Sequence, residues 1–192
     1  MATEFSTAAD TGGTFIERAR RAQLIEVTIE LVADDGYRGA SLARIAERAG
    51  LSKAAVLYHF ASKDALVQAA HQATLVALTG DVAKAIEAAD SADAPAAYVR
   101  AMIGHLREQP RHTRMLIEAM SHGFGEHGAA ERWRALAQIL EASWPGRLAD
   151  SRTAAVIIGG AIDGIVNESL QDPTYDTAAA AEQLIRMIAV AT

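Results

Sequence analysis

Apolar residues recur three and four positions apart along nearly the whole chain. Only a helix gathers residues at that spacing onto one side, so the pattern predicts an all-α fold. With 192 residues, 51% of them hydrophobic, the chain can bury a substantial core.

Small residues mark the expected boundaries. A first helix is predicted over about residues 14 to 35, closed by Gly36, where glycine is a normal C-terminal stop. Ser41 caps a second helix, SLARIAERA, which Gly50 ends. Ser52 caps a third of about two turns, with Val56 and Phe60 facing inward. Ser62 caps a fourth that reaches about residue 89, with a kink expected near Gly80. Further helices over about 93–108, 110–122, 129–143, 150–170 and 175–189 bring the expected number to about nine. Residues 1–13 are small and polar without periodicity, and are expected to form a flexible tail. Residues 14–80 are expected to form one domain and 81–192 a second.

The chain has no cysteine, which excludes disulfides, thiolate catalysis and Cys-ligated zinc. It has no Gly-rich phosphate loop, nucleophile elbow or HExxH pair, so an enzyme is not expected, nor a cofactor or metal. A metal sensor built on His105, His112, His122 and His127 is the alternative among the histidines. The sequence shows no bilayer-spanning run of about twenty apolar residues and no signal-peptide pattern at its start, so a cytoplasmic protein without a membrane partner is expected.

The formal net charge of −6 opposes sequence-independent binding to a polyanion. Between residues 38 and 63, however, Arg38, Arg44, Arg48, Lys53 and Lys63 face a single acid, Glu47. A local basic face on an acidic body suits selective nucleic-acid contact better than an architectural DNA binder.

That segment reads as a helix-turn-helix, whose second helix can enter a DNA major groove while the first braces it. Spacing alone also fits any helix hairpin with a glycine turn. The outward side of the third helix adds Lys53 with Leu57 and Ala54 with Tyr58, each pair one turn apart. Small alanines permit close approach to base edges, apolar groups can meet thymine methyls, and Lys53 can reach guanine or phosphate. The alternative is that Leu57 and Tyr58 pack on the next helix.

The run from Ser41 to Leu66, preceded by a long helix ending in DDGY, resembles the N-terminal DNA-binding domain of the tetracycline-repressor (TetR/AcrR) family of bacterial transcriptional regulators. Ile45-Ala46, Ala49-Gly50, Ser52, Tyr58-His59-Phe60, Ser62-Lys63 and Leu66 all fall at family spacing, over about a third of the chain. The resemblance implies a nine-helix-type homodimer that binds double-stranded DNA and holds a small-molecule effector in its C-terminal body. It implies that Ser41 and Arg44 contact backbone or nearby bases, that Lys53, Ala54 and Ala55 face the groove, and that Tyr58, His59 and Lys63 mainly grip phosphates. Ser52 and Leu57 complete the expected DNA-binding set. Leu57 replaces a usual aromatic and Ala54 a frequent Gly or Pro, so Tyr58 is expected to substitute for the phosphate grip at Leu57.

In the body, Met102, His105, Leu106, Met115, Met120, Phe124, Trp133 and Leu136 are candidates for an effector pocket, with Met as an adaptable wall. His105 or Asn167 is a candidate polar contact. The helix over 150–170 is apolar around most of its circumference and must be buried on more than one side. Ile158, Ile162 and Ile165, with Leu184 and Ile188 of the last helix, are therefore expected at a dimer interface. A purely intramolecular core is the alternative. The expected whole is a ligand-responsive regulator, most readily a repressor, on a near-palindromic operator.

Overall fold

Helix caps placed in the sequence by serine close the first half of the fold where expected. A computed structural model describes residues 14–124 and 128–191; the expected tail over 1–13 lies outside these. Nine α-helices appear among the described residues: α1 (Phe15–Gly39), α2 (Leu42–Ala49), α3 (Lys53–His59), α4 (Lys63–Glu87), α5 (Ala94–Glu108), α6 (Pro110–Ser121), α7 (Gly128–Ser143), α8 (Ser151–Gln171) and α9 (Thr177–Ala191).

Thr14 opens α1 with a capping box, exchanging hydrogen bonds with Glu17. Gly36 does interrupt α1, with φ 72° and ψ 170°, but a last turn follows it to Gly39. The hydroxyls of Ser41, Ser52 and Ser62 accept from the backbone N–H of Arg44, Ala55 and Ala65 at 3.3, 3.1 and 3.0 Å. Gly50 ends α2 in the left-handed conformation at φ 67°, a backbone state that costs glycine nothing sterically. α4 runs through Gly80 without a break. Packing of α4 on α1, α5 and α6 supports the helix across a residue of weak helix propensity.

Two apolar clusters form the core. The first joins Leu24, Leu31 and Val32 of α1, Ile45 of α2, Val56 of α3 and Leu66 and Val67 of α4, with Phe60 beside them. Met115 and Ala119 of α6 complete it. The second joins Leu78 and Val82 of α4 to Val99, Met102 and Ile103 of α5, Leu136 and Leu140 of α7, Ile158 and Ile162 of α8, and Leu184 of α9. Thus α4 feeds both clusters, and α6 reaches back into the first; the expected division near residue 80 falls inside α4.

α8 is long and apolar enough to cross a membrane by length and composition. Here Ala155, Ile158, Ile162 and Val166 fill the second cluster instead.

Candidate DNA-contacting face

Val56, fully buried, and Phe60, 4% exposed, fasten α3 from behind. The opposite flank is open: Lys53 and Ala54 are exposed, Leu57 is 41% exposed and Tyr58 74% exposed. Neither residue is buried against the next helix, the alternative in the sequence: Tyr58 is open and Leu57 is partly covered. Ala55 is half-buried at the edge of this flank. Among the described residues Lys53 has neither an ion-pair nor a hydrogen-bond partner.

Contacts from α1 fix the C-terminal end of α3. The guanidinium of Arg21 donates through Nη1 to the carbonyl of His59 and lies over the Phe60 ring, 4.1 Å from its centroid. It thereby satisfies one of the open carbonyls of a helix C-terminus. The hydroxyl of Tyr58 donates to Glu17 Oε1 at 3.2 Å, and the His59 ring meets the Tyr58 ring edge-on at 5.0 Å between centroids. The Thr14 N–H, foremost, and then the Tyr58 hydroxyl hold the Glu17 carboxyl below its ordinary value. Ser41 and Ser52 use their oxygens as cap acceptors and keep their O–H donors for another partner.

The basic face is narrower than the run of charges implies. Arg44 pairs with Asp35 at 2.7 Å and donates to the Gly39 carbonyl at 3.0 Å, and Arg48 lies 3.5 Å from Glu30. Lys63 is directed inward: its ammonium donates to the Tyr37 carbonyl and sits 3.6 Å from the centroid of the Tyr37 ring. Burial holds that ammonium below its ordinary value, against the opposing pull of Asp64. The acids of α1, Glu17, Glu30 and Asp35, were not visible as part of this surface from the sequence segment alone. Of these, only the Thr14-x-x-Glu17 spacing carried a signal, that of a capping box.

The residues expected to line an effector pocket do not meet in one place. Met115 is fully buried in the first cluster, and Phe124 packs on the same cluster. Met102 and Leu136 are buried in the second, with Leu106 at its edge. Met120 is 58% exposed, Asn167 is exposed, and Trp133 is half-buried. The buried His105 bonds through Nδ1 to Asp81 Oδ2 at 2.8 Å, and its Nε2 lies 3.4 Å from His112 Nδ1. His122 stacks against Tyr37, and His127 lies outside the described residues. No group of three side chains able to hold a metal occurs among the described residues. Two open clefts are present. One of about 350 Å³ lies between α1 and α6, and one of about 500 Å³ lies between α4 and α5. Of the expected residues His105 lines the second, beside Ala85, Ala97, Ala101 and Gly104.

At the expected dimer interface the rotation of α8 differs. Ile158, Ile162 and Leu184 turn into the chain's own core, and Ile165 and Ile188 pack at its edge. A helix apolar on nearly all sides does not reveal which side its own neighbours take. Residues left outward include Val156, 40% exposed, Ile157, 66% exposed, Gly160 and Gly164 on α8, and Met187, 60% exposed, on α9.

Residues 24–70 match the family model described as bacterial regulatory proteins, tetR family. The chain is 38% identical over 84 residues to the HTH-type transcriptional regulator BetI 1 of Chromohalobacter salexigens, covering 44% of this chain and 41% of that one. It is 40% identical over 84 residues to BetI of Ectopseudomonas mendocina, covering 44% and 42%. The matched region therefore spans about two fifths of these relatives. Likeness of fold extends further. The fatty acid degradation regulator FadR from Bacillus halodurans superposes with a TM-score of 0.76 at 18% identity, over 93% of this chain and 96% of that one. A TetR-like transcriptional regulator from Rhodococcus sp. RHA1 gives 0.72 at 20% identity, over 86% and 91%.

Proposed function

We propose, from the premise that the chain belongs through residues 24–70 to the tetR family of bacterial regulatory proteins, that it is a cytoplasmic, non-enzymatic repressor that binds DNA as a homodimer and is released by a small-molecule effector. One observation carries the DNA reading: α3 is anchored on one side by Val56 and Phe60 while Lys53, Ala54, Leu57 and Tyr58 stand open on the other. Such a helix fits the major groove, where Lys53 can reach guanine or phosphate and Leu57 a thymine methyl. Tyr58, His59, Ser41, Ser52 and Arg44 flank it as candidates for backbone contact, Arg44 on exchanging Asp35 for a phosphate.

The outward stripe of Ile157, Gly160 and Gly164, at i, i+3 and i+7, favours a second copy of the chain as the occupant, with Met187 beside it. The glycines leave open space above the helix backbone, so a partner helix can approach closely. Two copies of α3 about 34–36 Å apart select a near-palindromic site.

Selection of bound duplexes from a random pool tests the reading. Recovery of a palindrome supports both DNA recognition and dimerisation; indifference to every duplex at low salt overturns the proposal. An effector acts only by its difference in affinity for the two arrangements of the dimer. Its chemical identity is open to screening by thermal shift, with loss of operator binding as the second readout.

A further inference from the structure

Tyr37 sits just beyond the break at Gly36, and its three polar groups are shared between α6 and α4. Its backbone N–H donates to Glu118 Oε2 of α6 at 2.9 Å. Its carbonyl accepts from the Lys63 ammonium in the first turn of α4, and its hydroxyl donates to Asp64 in the same turn. One face of the ring lies under Lys63, and the ring also meets His122 at 4.5 Å and Phe124 at 5.8 Å between centroids. Gly36 permits this arrangement through its backbone: φ is 72°, a conformation that side chains rarely adopt, beside Glu118 of α6.

We propose that Tyr37 is a positioning residue for DNA reading: through it, Glu118 of α6 and Lys63 of α4 set the angle of α3 against the body, and Lys63 uses its charge within this joint and not on a phosphate. The inference rests on reading α3 as the DNA-contacting helix. Only residues 60–62 separate α3 from α4, so the two move with little independence. Glu118 and Lys63 both make charge-assisted bonds to the backbone of one residue, stronger than neutral ones. Turning Lys63 outward would leave the half-buried Tyr37 carbonyl without its side-chain donor, at the cost of an unmade hydrogen bond. An equilibrium shift of α6 therefore reaches α3 through a residue that touches neither effector nor base.

Two readouts separate failure of the joint from failure of the DNA reading. The first needs no DNA: in amide hydrogen exchange the Tyr37 N–H is expected to be protected in the wild type and exposed in Glu118→Ala. An unprotected wild-type amide overturns the proposal. The second uses a duplex the wild type has selected. Glu118→Ala is expected to weaken binding about three- to thirtyfold at unchanged salt dependence, with rescue by Glu118→Gln, whose amide oxygen still accepts. Lys63→Met is expected to weaken binding with the salt slope unchanged, whereas loss of a phosphate-contacting lysine lowers it by about one. A folded Glu118→Ala that binds like the wild type, or a slope lowered by about one in Lys63→Met, overturns the proposal; if Glu118→Ala fails to fold, Lys63→Met decides it.

Discussion

Arg21 lies over Phe60 with its guanidinium carbon 4.1 Å from the ring centroid, while its Nη1 donates to the carbonyl of the preceding residue, His59. One long side chain of α1 thus covers the ring that anchors α3 and caps the end of the same helix. Phe60→Ala removes the anchor and leaves a cavity, at a cost of about 3–5 kcal/mol. Chemical denaturation is expected to show that loss, and DNA binding is expected to fall even where the protein remains folded.

The Lys53 ammonium, on the open flank of α3, has no ion-pair or hydrogen-bond partner among the described residues. If it reads a base, Lys53→Ala changes the preferred sequence in a selection experiment. If it only neutralises phosphate, affinity falls by a similar factor for all duplexes and the preferred sequence stays the same.

Burial disfavours the charged form of two histidines. For His71, desolvation lowers the imidazole below its ordinary value; for His112, desolvation acts first and the neighbouring His105 second, against Glu26 and Asp81. The unfolded chain takes up protons at the ordinary value of about 6.5, the folded chain only at lower pH. Stability from these groups is therefore fully present above about pH 6.5 and is lost as pH falls through the lowered folded values. Urea midpoints are expected to drop between pH 7.5 and 5.5, and less steeply in His71→Leu, whose buried ring nitrogen Nδ1 has no hydrogen-bond partner.

Gly159 receives the indole of Trp133 so closely that a Cβ there would lie 2.6 Å from Nε1. Gly159→Ala forces the ring to move, an overpacking cost of about 1–3 kcal/mol. Tryptophan emission is expected to shift along with the melting temperature. An unchanged spectrum and stability would show that the ring is not seated there.

Ile157→Glu places a charge on the outward stripe of α8 without touching the core behind it. Sedimentation is expected to show a monomer, with operator affinity reduced and the melting profile at high dilution unchanged. A dimer that survives this change sits on another face.

Much of this was legible in the sequence, for reasons that also mark where reading stopped. Serine caps and glycine stops are local devices, so Ser41, Gly50, Ser52 and Ser62 gave helix boundaries that the structure keeps. The inward turn of Val56 and Phe60 followed from a single clear apolar side. α8 lacked such a side, and its rotation was decided by α5, α7 and α9, which placed Ile158 and Ile162 inside. The inward bond of Lys63 was not legible because its partner, the carbonyl of Tyr37, lies twenty-six residues earlier. Backbone acceptors at a helix break leave no trace in composition. The effector candidates scattered between two clusters for a related reason: an apolar residue on a helix announces burial, not which neighbours share it.

α4 belongs to both clusters, with Leu66 and Val67 in one and Leu78 and Val82 in the other. Its twenty-five residues make a rod about 37 Å long at about 1.5 Å per residue. Pivoted at its far end, a tilt of about 5° sweeps the Ser62 end through about 3 Å over that length, close to the roughly 3.4 Å rise of one base step in duplex DNA. If α3 is the helix that meets DNA, a small rearrangement near Val82 would thus become, at the tip that carries α3, a slip of nearly one rung on the ladder.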